Sequence, residues 1–247
     1  MGSSAHSNAT LSLCAHEPVS LALDILFEDD ALIFINKPPG IVVQQRMYNP
    51  DEPYLHAEVQ THAPGAYLMQ RLDRGTSGVI FFSKRADLNV RITRQFEKKK
   101  ISKRYLAICE GELGERQTID APIARAGAIK FAVRENGKRA VTHVEPLHAT
   151  RHGSLLAIVL ETGRTHQIRV HLSAIGHPLA GDWLYGTRDS GRPMLHAAGI
   201  EMTHPLTGQP LRVAAPLPND FRDELGRRGI PAFAEDNSDP PRMQLSD

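Results

Sequence analysis

The strongest candidate for a catalytic residue in this 247-residue chain is an acid between two arginines, in the sequence RLDR at residues 71–74. Each neighbouring positive charge favours the ionised form of Asp73. Gly75 and Gly78 predict a tight turn after it, and residues 79–82 are apolar enough for a buried strand. Asp73 is therefore predicted on a loop at a strand end, where scaffolds often present chemistry. A salt-bridged surface turn would explain the same residues.

A second stretch, KRYLA at residues 103–107, places an aromatic side chain among cations. In a strand, alternation puts Lys103 and Tyr105 on the same face. An aromatic ring can stack on an unpaired base while neighbouring cations hold phosphates, as in many proteins that bind single-stranded RNA. The alternative is a core tyrosine beside exposed lysines.

A third stretch, ETGRTHQIRVH at residues 161–171, is dense in polar groups. Its pattern predicts a helix that begins with Thr165 as N-cap. Backbone N–H groups at that helix start, together with Arg164, would form a site for a carboxylate or a phosphate. His166 and His171 lie five residues apart, which is not the spacing of two ligands on one helix face, so no metal site is predicted. A capped amphipathic helix is the alternative.

Charge distribution favours a polyanionic partner although the formal net charge is only +1. Residues 84–104 contain nine basic residues and two acids, which predicts a basic face suited to nucleic acid. Apolar runs are too short to span a bilayer, and two cysteines cannot form a disulfide framework. Without a secretory signal pattern, a cytoplasmic protein that has no membrane segment is expected.

The order of predicted elements indicates an α+β fold with a mixed, largely antiparallel sheet, because most strands follow each other through short turns. We expect a loose N-terminal arm at residues 1–20, one folded domain at 21–233 and a flexible tail at 234–247. Strands are predicted at 41–43, 79–82, 101–110, 140–150, 154–162, 194–202 and 211–214. A hairpin is predicted at 21–37, a loop or short helix at 44–66, and helices at 86–99, 165–175 and 220–227.

These motifs resemble those of the RluA-type pseudouridine synthases. The sequences RLDRGTSGV, KRYLA, GRTHQIRVHLSAIGHPLAGDWLYG, RPMLHA and HPLTGQPL occur in the order and spacing of that family. LDILFEDDALIFINKPPGIVV is similar to the family's opening hairpin, so the resemblance runs from about Leu21 to about Phe221. It implies a sheet whose two halves flank an RNA-binding cleft.

The resemblance also implies an activity, the isomerisation of uridine in RNA to pseudouridine without cofactor or metal. By the same resemblance, Asp73 is the essential catalytic aspartate, Tyr105 stacks on the target base and Arg164 pairs with the aspartate. Asp73 would act ionised whether it adds to the uracil ring, attacks C1′ or removes a ribose proton.

Other site residues follow from the same motifs. Arg71 resembles the residue that helps to occupy the space of the flipped nucleotide, and Ile168 and Leu195 resemble apolar pocket walls. Arg74 and Lys103 are expected to contact the RNA. No S4-like RNA-binding domain is recognisable in the sequence, so the catalytic domain itself is expected to recognise a compact stem-loop of ribosomal or transfer RNA. A monomer is expected.

Two departures from the family pattern concern residues near the expected cleft. Gln70 stands where the family commonly has His, and Gln44-Gln45 replaces the usual His-Pro. Both changes retain hydrogen-bonding capacity but remove a titratable or rigid group. They bear on substrate preference more than on activity.

Two other functions fit parts of the pattern. A non-catalytic RNA-binding or RNA-chaperone protein would need the basic segment but not Asp73. A carboxylate-dependent glycoside or nucleoside hydrolase would use Asp73 but normally needs a second carboxylate as acid. Within the three motifs, Glu161 is the other acid available for that role.

Overall fold

The computed structural model describes residues 22–45, 49, 51–186 and 191–231. The loose arm predicted for residues 1–20 and the tail predicted for residues 234–247 lie outside the described residues.

Strands dominate the described part of the chain. In chain order they are β1 (Ile25–Glu28), β2 (Leu32–Lys37), β3 (Tyr67–Leu68), β4 (Ser77–Ser83), β5 (Ser102–Cys109), β6 (Gln117–Asp120), β7 (Ile123–Arg125), β8 (Phe131–Val133), β9 (Val141–Thr150), β10 (Gly153–Leu160), β11 (Leu195–Thr203) and β12 (Pro210–Ala214). The helices are α1 (Leu55–His62), α2 (Asn89–Glu97), α3 (Gln167–Ala174) and α4 (Asn219–Arg227), and a 3₁₀ turn at Ala86–Leu88 leads into α2.

Ten of these strands form one sheet in the order β1-β2-β4-β11-β5-β10-β9-β6, with β3 also on β4 and β12 also on β11. Strands β7 and β8 form a separate hairpin. Among the described strand pairs, β4 and β11 are parallel and the others are antiparallel. The predicted α+β class with a mixed, largely antiparallel sheet is therefore confirmed.

Side-chain alternation divides the apolar residues of the sheet between its two faces. On β2, Ile33 and Ile35 join the core cluster that contains residues of α1 and α3, whereas Leu32 and Phe34 join the cluster that contains Ile92 of α2. On β5, Leu106 and Ile108 pack with α4. The helices thus cover both faces, and Tyr105 lies on the α1 and α3 face.

The parallel junction of β4 and β11 joins the two halves of the sheet through few residues. His196 pairs with Ser77, and Ala197 pairs with Gly78. Gly78 has φ +103°, and a Cβ there would overlap the carbonyl oxygen of Ala197, so only glycine allows this approach. Because β4 starts directly after the loop of Asp73, the junction also sets where that loop ends.

The structure differs from the predicted elements in three places. Residues 41–43 form no strand, but an isolated bridge between Val42 and Tyr54. The third helix begins at Gln167 rather than at Thr165, because His166 before it has a left-handed backbone conformation with φ 56°. The segment of residues 111–133, in which no strand was predicted, contains β6, β7 and β8, whose three or four residues each are too short to show a clear period.

No helix in the described ranges is long and apolar enough to span a lipid bilayer.

His196 at the sheet junction predicts a pH dependence of stability. Burial lowers its pKa to about 4 from the usual 6.5. Its Nδ1 lies 3.0 Å from Ser77 Oγ and its Nε2 3.3 Å from the carbonyl oxygen of Ala215, as suits a neutral ring. As the pH falls from 6.5 to 4, the unfolded chain binds a proton that the folded chain does not, so about 3 kcal/mol of unfolding free energy is lost through this residue.

The measurement is urea unfolding across this pH range for the wild type and for His196→Gln. Glutamine retains one acceptor and one donor but does not titrate. Between pH 6.5 and 4, the unfolding free energy of the variant should therefore fall by about 3 kcal/mol less than that of the wild type. Parallel profiles for the two proteins would show that His196 does not cause the acid sensitivity.

Candidate active site

A buried arginine of α3 connects two carboxylates. Arg169 Nη1 donates to Asp73 Oδ2 at 3.1 Å, while its Nε and Nη2 donate to Asp182 Oδ2 and Oδ1, both at 2.8 Å. Arg169 is 5% exposed and Asp182 is fully buried. Burial disfavours the guanidinium charge, but the hydrogen bonds to Asp182 and the charge of Asp73 raise the pKa of Arg169. The arginine is thus a fixed cation beside Asp73.

The prediction that Arg164 pairs with Asp73 is wrong. Arg164 Nε donates instead to the carbonyl oxygen of Arg139 at 2.9 Å, although Arg164 does line the cleft. Arg164 lies in the loop before α3, where the Arg139 carbonyl binds its guanidinium, whereas Arg169 lies on α3 and contacts Asp73. The prediction of Thr165 as N-cap is also wrong, because the N-cap of α3 is His166, whose own side chain makes no capping hydrogen bond. The Gln167 side chain accepts the Arg164 backbone N–H at 3.0 Å.

Asp73 is held through one of its two oxygens. Arg169 Nη1 and His166 Nε2, at 3.1 and 3.8 Å, both approach Oδ2. Among the described residues, Oδ1 has no hydrogen-bond partner, and the side chain is 28% exposed. Oδ1 is therefore the oxygen available to a substrate in the cleft.

Lys37 fixes the loop that carries Asp73. Its fully buried ammonium donates to the carbonyl oxygens of Pro38, Ile41 and Arg74 at 2.8, 2.9 and 3.2 Å. Burial is the main cause that lowers the pKa of Lys37 to about 7, and the positive charge of Arg192 is the second. The three carbonyls tie the end of β2 to the backbone directly after Asp73.

A hydrogen-bond chain orients His166 towards the same carboxylate. The Tyr185 hydroxyl accepts the backbone N–H of Phe131 at 3.0 Å and lies 2.8 Å from His166 Nδ1. This contact holds the His166 ring so that Nε2 faces Asp73, 3.8 Å from its Oδ2. Burial lowers the pKa of His166, so the ring is neutral at pH 7.

Asp73, His166 and Arg169 line one cleft of about 1470 Å³. Among the described residues that line it, seven cations face two acids, Asp73 and Glu161. The cations are Arg71, Arg74, Lys99, Lys103, Arg164, Arg169 and Arg192. Such an excess of positive charge attracts a polyanion into a chain that is nearly neutral overall.

Most of the predicted site residues reach this cleft. Tyr105 is 8% exposed, and burial together with the charge of Asp73 raises its pKa, so its phenol stays protonated. Burial lowers the pKa of Lys103. Arg71 is exposed at the cleft, whereas Arg74 is tied to Glu52 at 3.0 Å and to the Gly40 carbonyl at 2.8 Å.

The structure does not place Ile168 and Leu195 in the cleft wall. Both are at most 5% exposed and belong to the core cluster beneath the site, because their strand and helix turn these side chains inward. The apolar lining comes instead from other residues, including Leu72, Val159, Leu160 and Leu184.

Glu161 does not have the properties of a catalytic acid. Hydrogen bonds from Lys99 and then from His143 lower its pKa, so it stays ionised. A general acid needs a raised pKa to hold its proton. This argues against the hydrolase alternative. In the described part of the chain, no group of His, Cys, Asp and Glu side chains is arranged to hold a metal ion.

The sequence profile of the RNA pseudouridylate synthase family matches residues 31–174, which is more than half of the chain. The chain belongs to this family. The family and the enzyme class that the motifs predicted, an isomerase that acts on RNA, are thereby confirmed.

Similar proteins include the ribosomal large subunit pseudouridine synthases D of Nitrosomonas europaea, Haemophilus influenzae and Escherichia coli K12. They are 41, 36 and 35% identical to the present chain, over 84, 85 and 83% of its length, respectively. The chain spans 65, 72 and 70% of their lengths, respectively.

Solved structures agree with this assignment. Human RNA pseudouridylate synthase domain containing 1 is 28% identical, with a TM-score of 0.67 over 79% of this chain and 84% of its own. The human domain containing 4 has the same TM-score over 83% of this chain and 92% of its own, and at 24% identity it shows the fold alone.

Sequence reasoning missed Arg169, Asp182, His166 and Tyr185 as site residues. The sequence does contain a signal, since Arg164 and Arg169 both lie in GRTHQIRVH, and GDWLYG contains an acid in an otherwise apolar stretch. The choice between the two arginines depends on how α3 packs against the loop of Asp73, which a local sequence pattern does not specify.

The geometry predicts different outcomes for the same substitution at two arginines. Arg169→Lys retains the charge but cannot bridge both carboxylates, so we expect about 3 kcal/mol lower stability. Because displacement of a catalytic group by about 1 Å can cost about 100-fold, pseudouridine formation should fall by a similar factor. Urea unfolding and a pseudouridine assay measure the two effects.

Arg164→Lys is the matched control. It loses only a hydrogen bond to a carbonyl at an exposed position, so it should lose much less stability and activity than Arg169→Lys. If Arg164→Lys lost more stability and activity than Arg169→Lys, the result would support the pairing of Arg164 with Asp73 that the sequence predicted.

Proposed function

We propose that this synthase converts specific uridines of large-subunit ribosomal RNA to pseudouridine, with Asp73 as the catalytic carboxylate. The observation that carries the proposal is the Arg169 guanidinium, which holds Asp73 Oδ2 at 3.1 Å in a strongly cationic cleft. The relatives named as synthases of the large ribosomal subunit support this class of substrate.

The reaction rearranges a nucleotide without net addition of atoms. The bond between N1 of uracil and C1′ of ribose breaks, C5 bonds to C1′, and the proton lost from C5 is balanced by one gained at N1. Asp73 acts through Oδ1, the oxygen that Arg169 and His166 leave open. Arg169 stabilises the charge of the carboxylate, because charge-assisted hydrogen bonds are stronger than neutral ones.

The target base must leave its stack to reach Asp73, and flipping costs a few kcal/mol. Tyr105 is positioned to offset this cost by stacking, because it lines the same cleft as Asp73. Arg71, exposed at the cleft, would fill the space that the flipped nucleotide leaves in the RNA.

Phosphates of the RNA are expected on the cations of the cleft. Lys103 and Arg164 line it without an ion pair to Asp73, so they can turn to a phosphate, whereas Arg74 is partly engaged by Glu52. Leu72 and Leu184 supply apolar walls that exclude water around the reacting sugar, which limits its capture by solvent.

The protein is proposed to work as a monomer in the cytoplasm. Residues of a single chain supply the carboxylate, its arginine and the cations of the cleft, which supports catalysis without a second copy. A ribosomal RNA substrate supports the cytoplasmic location.

Asp73→Asn retains the shape of the side chain but lacks its charge, so we expect no detectable pseudouridine while RNA binding is largely retained. Asp73→Ala should behave in the same way. Pseudouridine is measured by mass spectrometry of nucleosides after incubation with ribosomal RNA, and binding is measured by filter retention. Asp87→Asn, at a fully exposed acid paired with Arg85, is the matched control and should remain active. Full activity of Asp73→Ala would refute the proposal.

The proposed substrate predicts a specific change in cells. Deletion of the gene should remove one or more pseudouridines from large-subunit ribosomal RNA, and the wild-type gene, but not its Asp73→Asn variant, should restore them. Sequencing-based pseudouridine mapping of total RNA measures this. Loss confined to transfer RNA would reject the ribosomal substrate but retain the activity, and binding without any modified uridine would favour the non-catalytic RNA-binding alternative.

A further inference from the structure

Trp183 is an exposed aromatic residue in the lining of the cleft that the proposed chemistry does not use. Its exposed fraction is 56%, whereas Leu184, the next residue, is only 7% exposed. Exposed tryptophans are unusual because burial of a large aromatic ring is favourable. Its position in the cleft indicates contact with a ligand.

The turn that carries Trp183 is held in one conformation. Asp182 Oδ1 accepts the backbone N–H groups of Leu184 and Tyr185 at 3.0 and 3.2 Å, while the same carboxylate binds Arg169. The Asp182 carbonyl accepts the N–H of Gly186 at 2.8 Å. The backbone at Trp183 is therefore positioned before a ligand arrives, which lowers the entropy cost of binding.

A second exposed apolar side chain lies on the same rim of the cleft. The hydrogen bond from the Phe131 N–H to the Tyr185 hydroxyl brings the β7–β8 hairpin against the turn of Trp183. Ile129, in the loop of that hairpin, is 57% exposed and also lines the cleft. Arg164 and Arg192 line the cleft as well. The cleft thus combines an exposed aromatic side chain with cations.

We propose that Trp183 stacks on an unpaired RNA base adjacent to the target uridine. The inference rests on the proposed function for the presence of RNA in the cleft. With about 1470 Å³, the cleft exceeds the roughly 1,000 Å³ upper range of small-molecule sites, so it has room for more than the flipped nucleotide. Stacking platforms beside cationic grooves are the usual means of binding unpaired nucleotides, and they accept any base.

The chain has one tryptophan, so its fluorescence reports on Trp183 alone. The probe is a hairpin RNA with an all-uridine loop, compared with the same hairpin whose loop sugars carry no bases. Both have the same phosphates. Stacking predicts that the first RNA quenches the fluorescence and that the second, at saturation, does not. Equal quenching by both RNAs would overturn the inference.

Affinity provides an independent measurement. Since base stacking on an aromatic ring is worth about 1–3 kcal/mol, Trp183→Ala should bind the all-uridine hairpin about 5- to 150-fold more weakly. Trp183→Phe should retain most of the affinity. The dependence of the affinity on salt should be the same in all three proteins, because Trp183 contributes no phosphate contact.

Tyr67→Ala is the matched control, since Tyr67 is also an exposed aromatic residue, at 45%, but lies outside the lining of the cleft. It should bind as the wild type does. Unchanged affinity in Trp183→Ala, or an equal loss in Tyr67→Ala, would refute stacking at Trp183.

Failure of this inference can be told apart from failure of the proposed function. Binding and fluorescence are measured with Asp73→Asn as well, in which Trp183 is intact and catalysis is absent. Asp73→Asn should show the same base-dependent quenching as the wild type. Base-dependent quenching by a wild-type protein that forms no pseudouridine would support the stacking site and reject the proposed function. Pseudouridine formation without base-dependent quenching would support the proposed function and reject the stacking site.

Discussion

The shared guanidinium of Arg169 is the interaction on which the site depends. Asp73 lies in the loop before β4, in one half of the sheet, whereas Arg169 and Asp182 belong to the other half. The fixed fork of an arginine contacts both carboxylates at once, which the point charge of a lysine cannot do. The position of the Asp73 carboxylate therefore depends on α3 and on the turn after it.

The surrounding charges are arranged so that Arg169 remains the cation bound to Asp73. Lys37 lies nearby, but its ammonium is occupied by three backbone carbonyls. His166 is neutral at pH 7 because burial lowers its pKa. Buried Asp182 balances the arginine, which allows that charge to remain in a position with little solvent. Asp73 thus has one bound oxygen and one open oxygen.

The architecture also explains how a nearly neutral protein can act on a polyanion. The parallel contact of β4 and β11 joins the two halves of the sheet, and the cleft is lined by residues of both. From the basic segment at residues 84–104, Lys99 and Lys103 line the cleft, whereas Lys84 and Arg85 lie outside its lining and pair with Glu28 and Asp87. The other cations of the cleft come from distant segments of the chain.

The sequence by itself determined the family, the α+β class, the loop of Asp73 before β4 and the common face of Lys103 and Tyr105. These features depend on local pattern, namely contiguous motifs, strand alternation and turn glycines. Only the tertiary structure decided that Arg169 rather than Arg164 holds Asp73, and that Ile168 and Leu195 are core residues. The physical reason is that the Asp73–Arg169 bond joins residues 96 positions apart. It requires the backbone turn at His166, the buried Asp182 and the packing of α3, none of which a local pattern specifies.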